Sequence, residues 1–134
     1  MELEPYLHLA GKCEEALHFY QSVLGGEIGE LNRFEGSPMM KDLPPDYGPK
    51  IMHSSFRSGA VRFMASDGMP DSTHTTGSRV SLAIATDDVA EGERVFNGLA
   101  AGGSVTMPYQ KTFWGTFGML TDKYGIDWMV NAGG

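Results

Sequence analysis

The chain has 134 residues, 41% of them hydrophobic and 20% charged, the composition of an ordinary globular protein large enough to bury its own core. No apolar run approaches the roughly 18 residues that a membrane span needs, and a net charge of −7 repels phosphate backbones, so neither membrane nor nucleic acid is an expected partner. Cys13 is the only cysteine, which excludes an intrachain disulfide and a cysteine-based metal cluster; with the acidic start "MELEPYLHLAGKC", it points to a cytoplasmic protein.

In chain order, a short apolar strand around Leu7 leads into an amphipathic helix on which Cys13, Leu17, Tyr20 and Leu24 recur at helical spacing, stopped by Gly25-Gly26. A strand follows, and then "FEGSPMMKDLPPDYGPK", which holds four of the seven prolines. Long loops of this kind are often lids or binding loops. Met39 and Met40 beside Tyr47 suit an adaptable ligand, or equally a loop pinned to the core by its Met side chains. "IMHSSFRSGAVRFMAS" has the period of two of a hairpin, turning at Ser58-Gly59. A polar, turn-rich linker, "DGMPDSTHTTG", precedes a strand in which Val80, Leu82 and Ile84 form the apolar face and Ser81, Ala83 and Ala85 the opposite one. A second helix carries Val89, Phe96 and Leu99 on its buried face and ends near Gly102-Gly103. "TFGMLTDKYGIDWMVN" closes the chain as a second hairpin, turning near Tyr124-Gly125.

The chain repeats itself. "LHLAGKCEEALHFYQSVLGGEI" lies without gaps over "IATDDVAEGERVFNGLAAGGSV", and the last strands superimpose Phe63 on Trp128, Met64 on Met129 and Ser66 on Asn131. Each half is therefore strand, helix and three strands. The fold class is α+β, built of two tandem βαβββ modules, residues 1–67 and 78–134, joined by a linker over 68–77. The repeat turns Glu4, Tyr6 and His8 to the same side as Ser81, Ala83 and Ala85.

Tandem βαβββ modules, together with "PYLHLAGKCEEALHFYQSVLGGEI", "MHSSFRSGAVRFMASDGMP" and "VTMPYQKTFWGTFGMLTDKYGIDWMVN", resemble the PhnB-like, or demethylubiquinone methyltransferase-like, branch of the vicinal oxygen chelate superfamily. That superfamily includes glyoxalase I, extradiol dioxygenases and bleomycin resistance proteins. The resemblance implies an incomplete eight-stranded barrel with outer helices and a ligand cavity, assembled as a homodimer. Its metal-dependent members hold a divalent ion with four His or Glu ligands. The matching positions here fall near Glu4 or Pro5, at Met64, at Ser81 and at Met129, a set with two soft thioethers and no imidazole. No metal and no cofactor is therefore expected at the usual site. A methyl donor usually sits on a Gly-rich loop between a parallel strand and a helix, and the chain has no Gly-x-Gly pattern in that setting.

Two functions follow. One is a small-molecule binding protein of the bleomycin-resistance type, its organic ligand held by Tyr6, Met64, Ser81, Trp114, Met129 and Asn131. The other is a lyase, isomerase or dioxygenase using His8 and His53 as bases or as ligands of an unusually held metal; hydrogen-bonded structural histidines are the alternative. His18 and His74 read as surface residues. Arg57 and Arg62 face either a ligand carboxylate or solvent. Asp67 and Asp122 each precede a turn and can accept backbone N–H groups. Cys13 lies on the apolar helix face as a buried thiol, and Trp128 faces the core.

Overall fold

The computed structural model describes residues 1, 3–70 and 80–133, so His74 and most of the linker lie outside the described residues. The chain divides into two compact units, Met1–His74 and Thr75–Gly134. Among the described residues no helix is long and apolar enough to cross a membrane.

The first unit runs β1 (Tyr6–His8), α1 (Cys13–Leu24), β2 (Glu27–Arg33), β3 (Ile51–Ser58) and β4 (Val61–Ser66), with strand order β1-β4-β3-β2. The second runs β5 (Leu82–Thr86), α2 (Val89–Ala100), β6 (Ser104–Lys111), β7 (Thr116–Thr121) and β8 (Asp127–Ala132), with order β5-β8-β7-β6. In each, the first strand is parallel to the last and the other pairs are antiparallel. The registers repeat as well: Tyr6 stands beside Met64 as Ala83 stands beside Met129. The βαβββ duplication read from the sequence is thus present strand by strand.

In each module the helix covers one face of the sheet. Cys13, Ala16, Leu17, Tyr20 and Val23 are buried on α1, and the Tyr20 ring meets Phe63 edge-on at 5.7 Å while Phe63 stacks on Phe56 at 4.8 Å. On α2 the buried residues are Gly92, Val95, Phe96 and Leu99. Val89, expected on that face, is 45% exposed because it is the first residue of the helix, and Val80 is 70% exposed because it precedes β5. Gly92 makes room for a neighbour: a Cβ there would collide with the Tyr109 hydroxyl, which donates to the Val89 carbonyl at 2.8 Å. Trp128 is buried as expected, and its indole N–H donates to Asp122 Oδ2 at 2.8 Å. The other oxygen of Asp122 accepts from the amides of Tyr124 and Ile126, which fixes the β7–β8 turn.

The two helices begin differently. On α2, Asp88 is a local N-cap, its Oδ1 accepting from the amides of Ala90 and Glu91 at 3.0 and 3.2 Å. On α1 the capping position is Lys12, whose side chain caps nothing. The carboxylate comes instead from Asp67, just past β4: Oδ1 accepts from the Cys13 amide and Oδ2 from the Ile51 amide, both at 2.7 Å. A fully buried acid at a helix N-terminus is stabilised by charge-assisted bonds and by the helix dipole.

The proline-rich loop contains two short 3-10 turns, Pro38–Asp42 and Pro45–Tyr47. Tyr47 packs on Phe34 at 5.0 Å and donates its hydroxyl to the Gly68 carbonyl at 2.5 Å, while Phe34 and Glu35 bond back to Lys50 and Gly48. The loop is thus anchored by Tyr47 rather than by Met39, which is 40% exposed.

Asp67 makes a direct test of this architecture. Replacing it with Ala leaves two buried amides without acceptors, and since a hydrogen bond to a charged group contributes about 1.5–3 kcal/mol, urea unfolding should register a loss of about 3 kcal/mol or more. Asp88→Ala, on an exposed cap, should cost about 1 kcal/mol.

Candidate functional site

Burial of Phe56 and Phe63 beneath α1 turns their strand neighbours to the other face of the first sheet. That open face carries three rows across the strands. The first joins Arg62 to Arg57 and Arg57 to Glu27, with Glu4 reaching Arg62 at 3.7 Å. The second joins Tyr6, Met64, Ser55 and Gly29, and the third joins His8, Ser66 and, through β2, the pair His53 and Asn32.

The structure brings together four of the residues expected from the sequence: Tyr6, His8, His53 and Met64. The Tyr6 ring lies 5.1 Å from that of His8 and 5.8 Å from that of His53. Its hydroxyl is 3.3 Å from His53 Nδ1 and donates when that nitrogen carries no proton. His53 Nε2 is 4.0 Å from Glu30 Oε2, an ion pair when the imidazole is charged. Tyr6, His53 and Glu30 therefore form a chain of acid and base groups on an accessible surface.

Glu30 was not indicated by the sequence reading. It has φ of +41°, in the left-handed region that a non-glycine residue seldom adopts, and it sits where the β2–β3 register slips between Gly29 and Asn32. The bulge aims its carboxylate across the sheet. The only trace in the sequence is the break in alternation at "GE" within "EIGELNR".

In the second unit, Met129 and Asn131 lie on the sheet face opposite α2, with Ser81 immediately before β5. Asn131 and Ala85 help to line a cleft of about 360 Å³. Met129 pairs with Met119, and Met119 with Met107, so three methionines run side by side across β8, β7 and β6. Of that row the sequence reading singled out only Met129. Trp114 is 46% exposed in the β6–β7 turn, edge-on to Phe113 at 4.7 Å and to Phe117 at 5.8 Å.

The superfamily's metal does not fit these side chains. Met64 and Met129 offer neutral sulfur, Ser81 a neutral hydroxyl, and Glu4 is engaged by Arg62. Among the described residues, no group of three or more His, Cys, Asp or Glu stands close enough to hold an ion. A larger cleft, about 480 Å³, lies between the start of α1 and the end of the proline-rich loop. Two of its charges are held by the fold: Arg33 forks both Glu14 oxygens at 2.9 Å, holding that carboxyl below its usual range, and Lys50 donates to the Gly11 carbonyl at 3.0 Å. His18 borders this cleft and is exposed, as expected.

Two tandem βαβββ units with open sheet faces define a protein of the glyoxalase/bleomycin resistance fold, and structures of that description from Sphaerobacter thermophilus, Albidiferax ferrireducens and Burkholderia phytofirmans share it at 13–17% identity with TM-scores of 0.60 to 0.62. Within that fold, the chain belongs to the 3-demethylubiquinone-9 3-methyltransferase family, whose model matches residues 1–131. Protein YjdN of Escherichia coli K12 is 37% identical, covering 98% of this chain and 95% of its own. Protein PA1353 of Pseudomonas aeruginosa is 41% identical with a TM-score of 0.87, covering 98% and 97% of the two chains. A PhnB protein from Bacillus cereus, described as a 3-demethylubiquinone-9 3-methyltransferase, is 28% identical with a TM-score of 0.83, covering 98% and 99%.

Cys13, the remaining nucleophile, belongs to the core. It is fully buried, its sulfur lies 3.7 Å from the Ser54 hydroxyl, and burial pushes the thiol up to about 12. At pH 8 it is un-ionised in the folded protein and in part thiolate once unfolded. Iodoacetamide should leave the native protein unmodified at that pH and label it stoichiometrically in denaturant, as mass spectrometry would read.

Proposed function

We propose that the protein binds a small organic molecule on the open sheet face formed by Tyr6, His8, His53 and Met64. The observation that supports this most is their grouping. Two imidazoles, a phenol and a thioether converge on the face turned away from α1, where they add nothing to the core. Such a surface offers an apolar floor at Met64 and directional hydrogen bonding at Tyr6 and His53, the combination by which a ligand is both held and oriented. On the second unit, Ser81, Met129, Asn131 and Trp114 are the matching candidates, and the row of three methionines makes that face the more apolar of the two. The family resemblance adds a homodimer to this reading; light scattering that finds a monomer at micromolar concentration removes it.

A second reading is an enzyme. The line of groups from Tyr6, hydrogen-bonded to His53, to Glu30, whose carboxylate is 4.0 Å from that imidazole, favours a metal-free acid-base catalyst, with the Tyr6 hydroxyl or His8 facing the substrate and Glu30 placed to pair with the imidazole when it is charged. A lyase or isomerase would use these groups directly, whereas a dioxygenase would need a metal held by His8 and His53. Methyl transfer, the activity named in the family's description, has less support, since the chain lacks a Gly-rich strand-to-helix turn for a methyl donor.

Elemental analysis of protein purified without chelator should find no stoichiometric divalent metal. About one zinc, nickel, manganese or iron per chain, lost on His53→Gln, would reverse the order of the two readings. A thermal-shift screen of small organic compounds then tests binding. A true ligand at a hundredfold excess over its dissociation constant stabilises the folded state by about 2.7 kcal/mol, and Met64→Glu should abolish the effect.

A further inference from the structure

We infer that Arg57 and Arg62 are the subsite for an oxyanion, a carboxylate or phosphoryl group, carried by the small molecule that the open face of the first sheet binds. This rests on the binding role proposed for that face. The two arginines are directly opposed on the β3–β4 hairpin, and like charges at opposed positions are destabilising. Both border a cleft of about 180 Å³ together with Glu4, Ser55, Phe56 and Phe63. Glu4 compensates Arg62 at 3.7 Å, whereas Arg57 has no ion-pair partner among the described residues. Glu27, its cross-strand neighbour on β2, is the nearest competitor for it by register.

The internal repeat supplies a control. Superimposing Phe63 on Trp128 places Asp127 where Arg62 stands, and Asp127 pairs with Thr121 as Arg62 pairs with Arg57. The second unit satisfies that position internally, the Thr121 hydroxyl donating to Asp127 Oδ1 at 2.7 Å. The first unit puts two guanidiniums there and compensates one. The fold does not require the pair, and a net charge of −7 opposes anions elsewhere on the chain, so a local fork of donors is the feature able to hold one. One row further along the strands, roughly 7 Å away, come Ser55, Met64 and Tyr6. The ligand class is accordingly a small organic acid or phosphate ester: an anionic head at Arg57 and Arg62, a short apolar body over Met64, and its far end within reach of Tyr6 and His53.

Isothermal titration of the full-length protein with hexanoate, hexyl phosphate and hexan-1-ol tests this. At least one of the two anions should bind tenfold or more tightly than the alcohol, more weakly as salt is raised, and the tighter of the two names the head group. Arg57→Gln, a substitution on an exposed side chain, should erase that advantage with an unchanged circular dichroism spectrum. Glu27→Gln should keep or strengthen it. Anion and alcohol binding equally, or an anion advantage that survives Arg57→Gln, overturns the subsite but leaves the binding role of the face intact. No binding by any of the three, with no hit in the wider screen, overturns both. Arg62→Gln also frees Glu4, so its expected loss is read only against the Arg57 variant.

Discussion

The first module hangs on one buried carboxylate. Asp67 leaves the end of β4, accepts the first amide of α1 with one oxygen and the first amide of β3 with the other, and so ties the start of the helix to the open end of the β3–β4 hairpin. Because both carboxylate oxygens are excluded from water, neither bond is exchanged cheaply for a solvent one. The position of α1 over Phe56 and Phe63 follows from this clamp, and with it the exposure of the alternate residues on the opposite face. In the second module the amides at the start of α2, of Ala90 and Glu91, are met by the side chain of Asp88, the residue just before the helix, a local solution that draws no carboxylate from the far end of the sheet.

That contrast runs through the duplication. Both modules keep the strand order, the parallel first pair and the methionine at the centre of the last strand. They differ in what surrounds that methionine. The first has Tyr6, His8 and His53 with an arginine pair; the second has Ala83, Ala85 and a row of methionines. A scaffold whose core demands are met by one sheet face leaves the other face free to diverge, and it has diverged toward hydrogen bonding and charge in one half and toward soft apolar contact in the other.

Much of this was legible in the sequence, because the signals involved are periodic. Helical spacing located α1, alternation located the hairpins, and the gapless repeat forced both modules to share one topology. Parity then assigned Tyr6 and Met64 to one face and Trp128 to the other. What periodicity cannot carry is anything that depends on a break in it or on a partner far along the chain. Glu30 owes its reach to a bulge with a left-handed backbone. Asp67 and Asp122 were legible as turn acceptors, but not as the partners of Ile51 and of the Trp128 indole. The helix start at Val89 shifted one expected core residue into solvent, since a pattern of spacing does not say which of its members is first.

The irregularity at Glu30 also bears on association. In the strand order of its own sheet, β2 is an outer strand, and β6 holds the corresponding place in the other. Both are interrupted by register slips, β2 at Glu30 and β6 between Val105 and Gln110, the stretch that includes Pro108. A flat outer strand is a template on which another chain can add, and bulges, prolines and charges are the means by which natural sheets blunt it. The backbone kink that aims a carboxylate at His53 thus also guards the sheet against edge-to-edge aggregation, so straightening it would endanger solubility as well as the site.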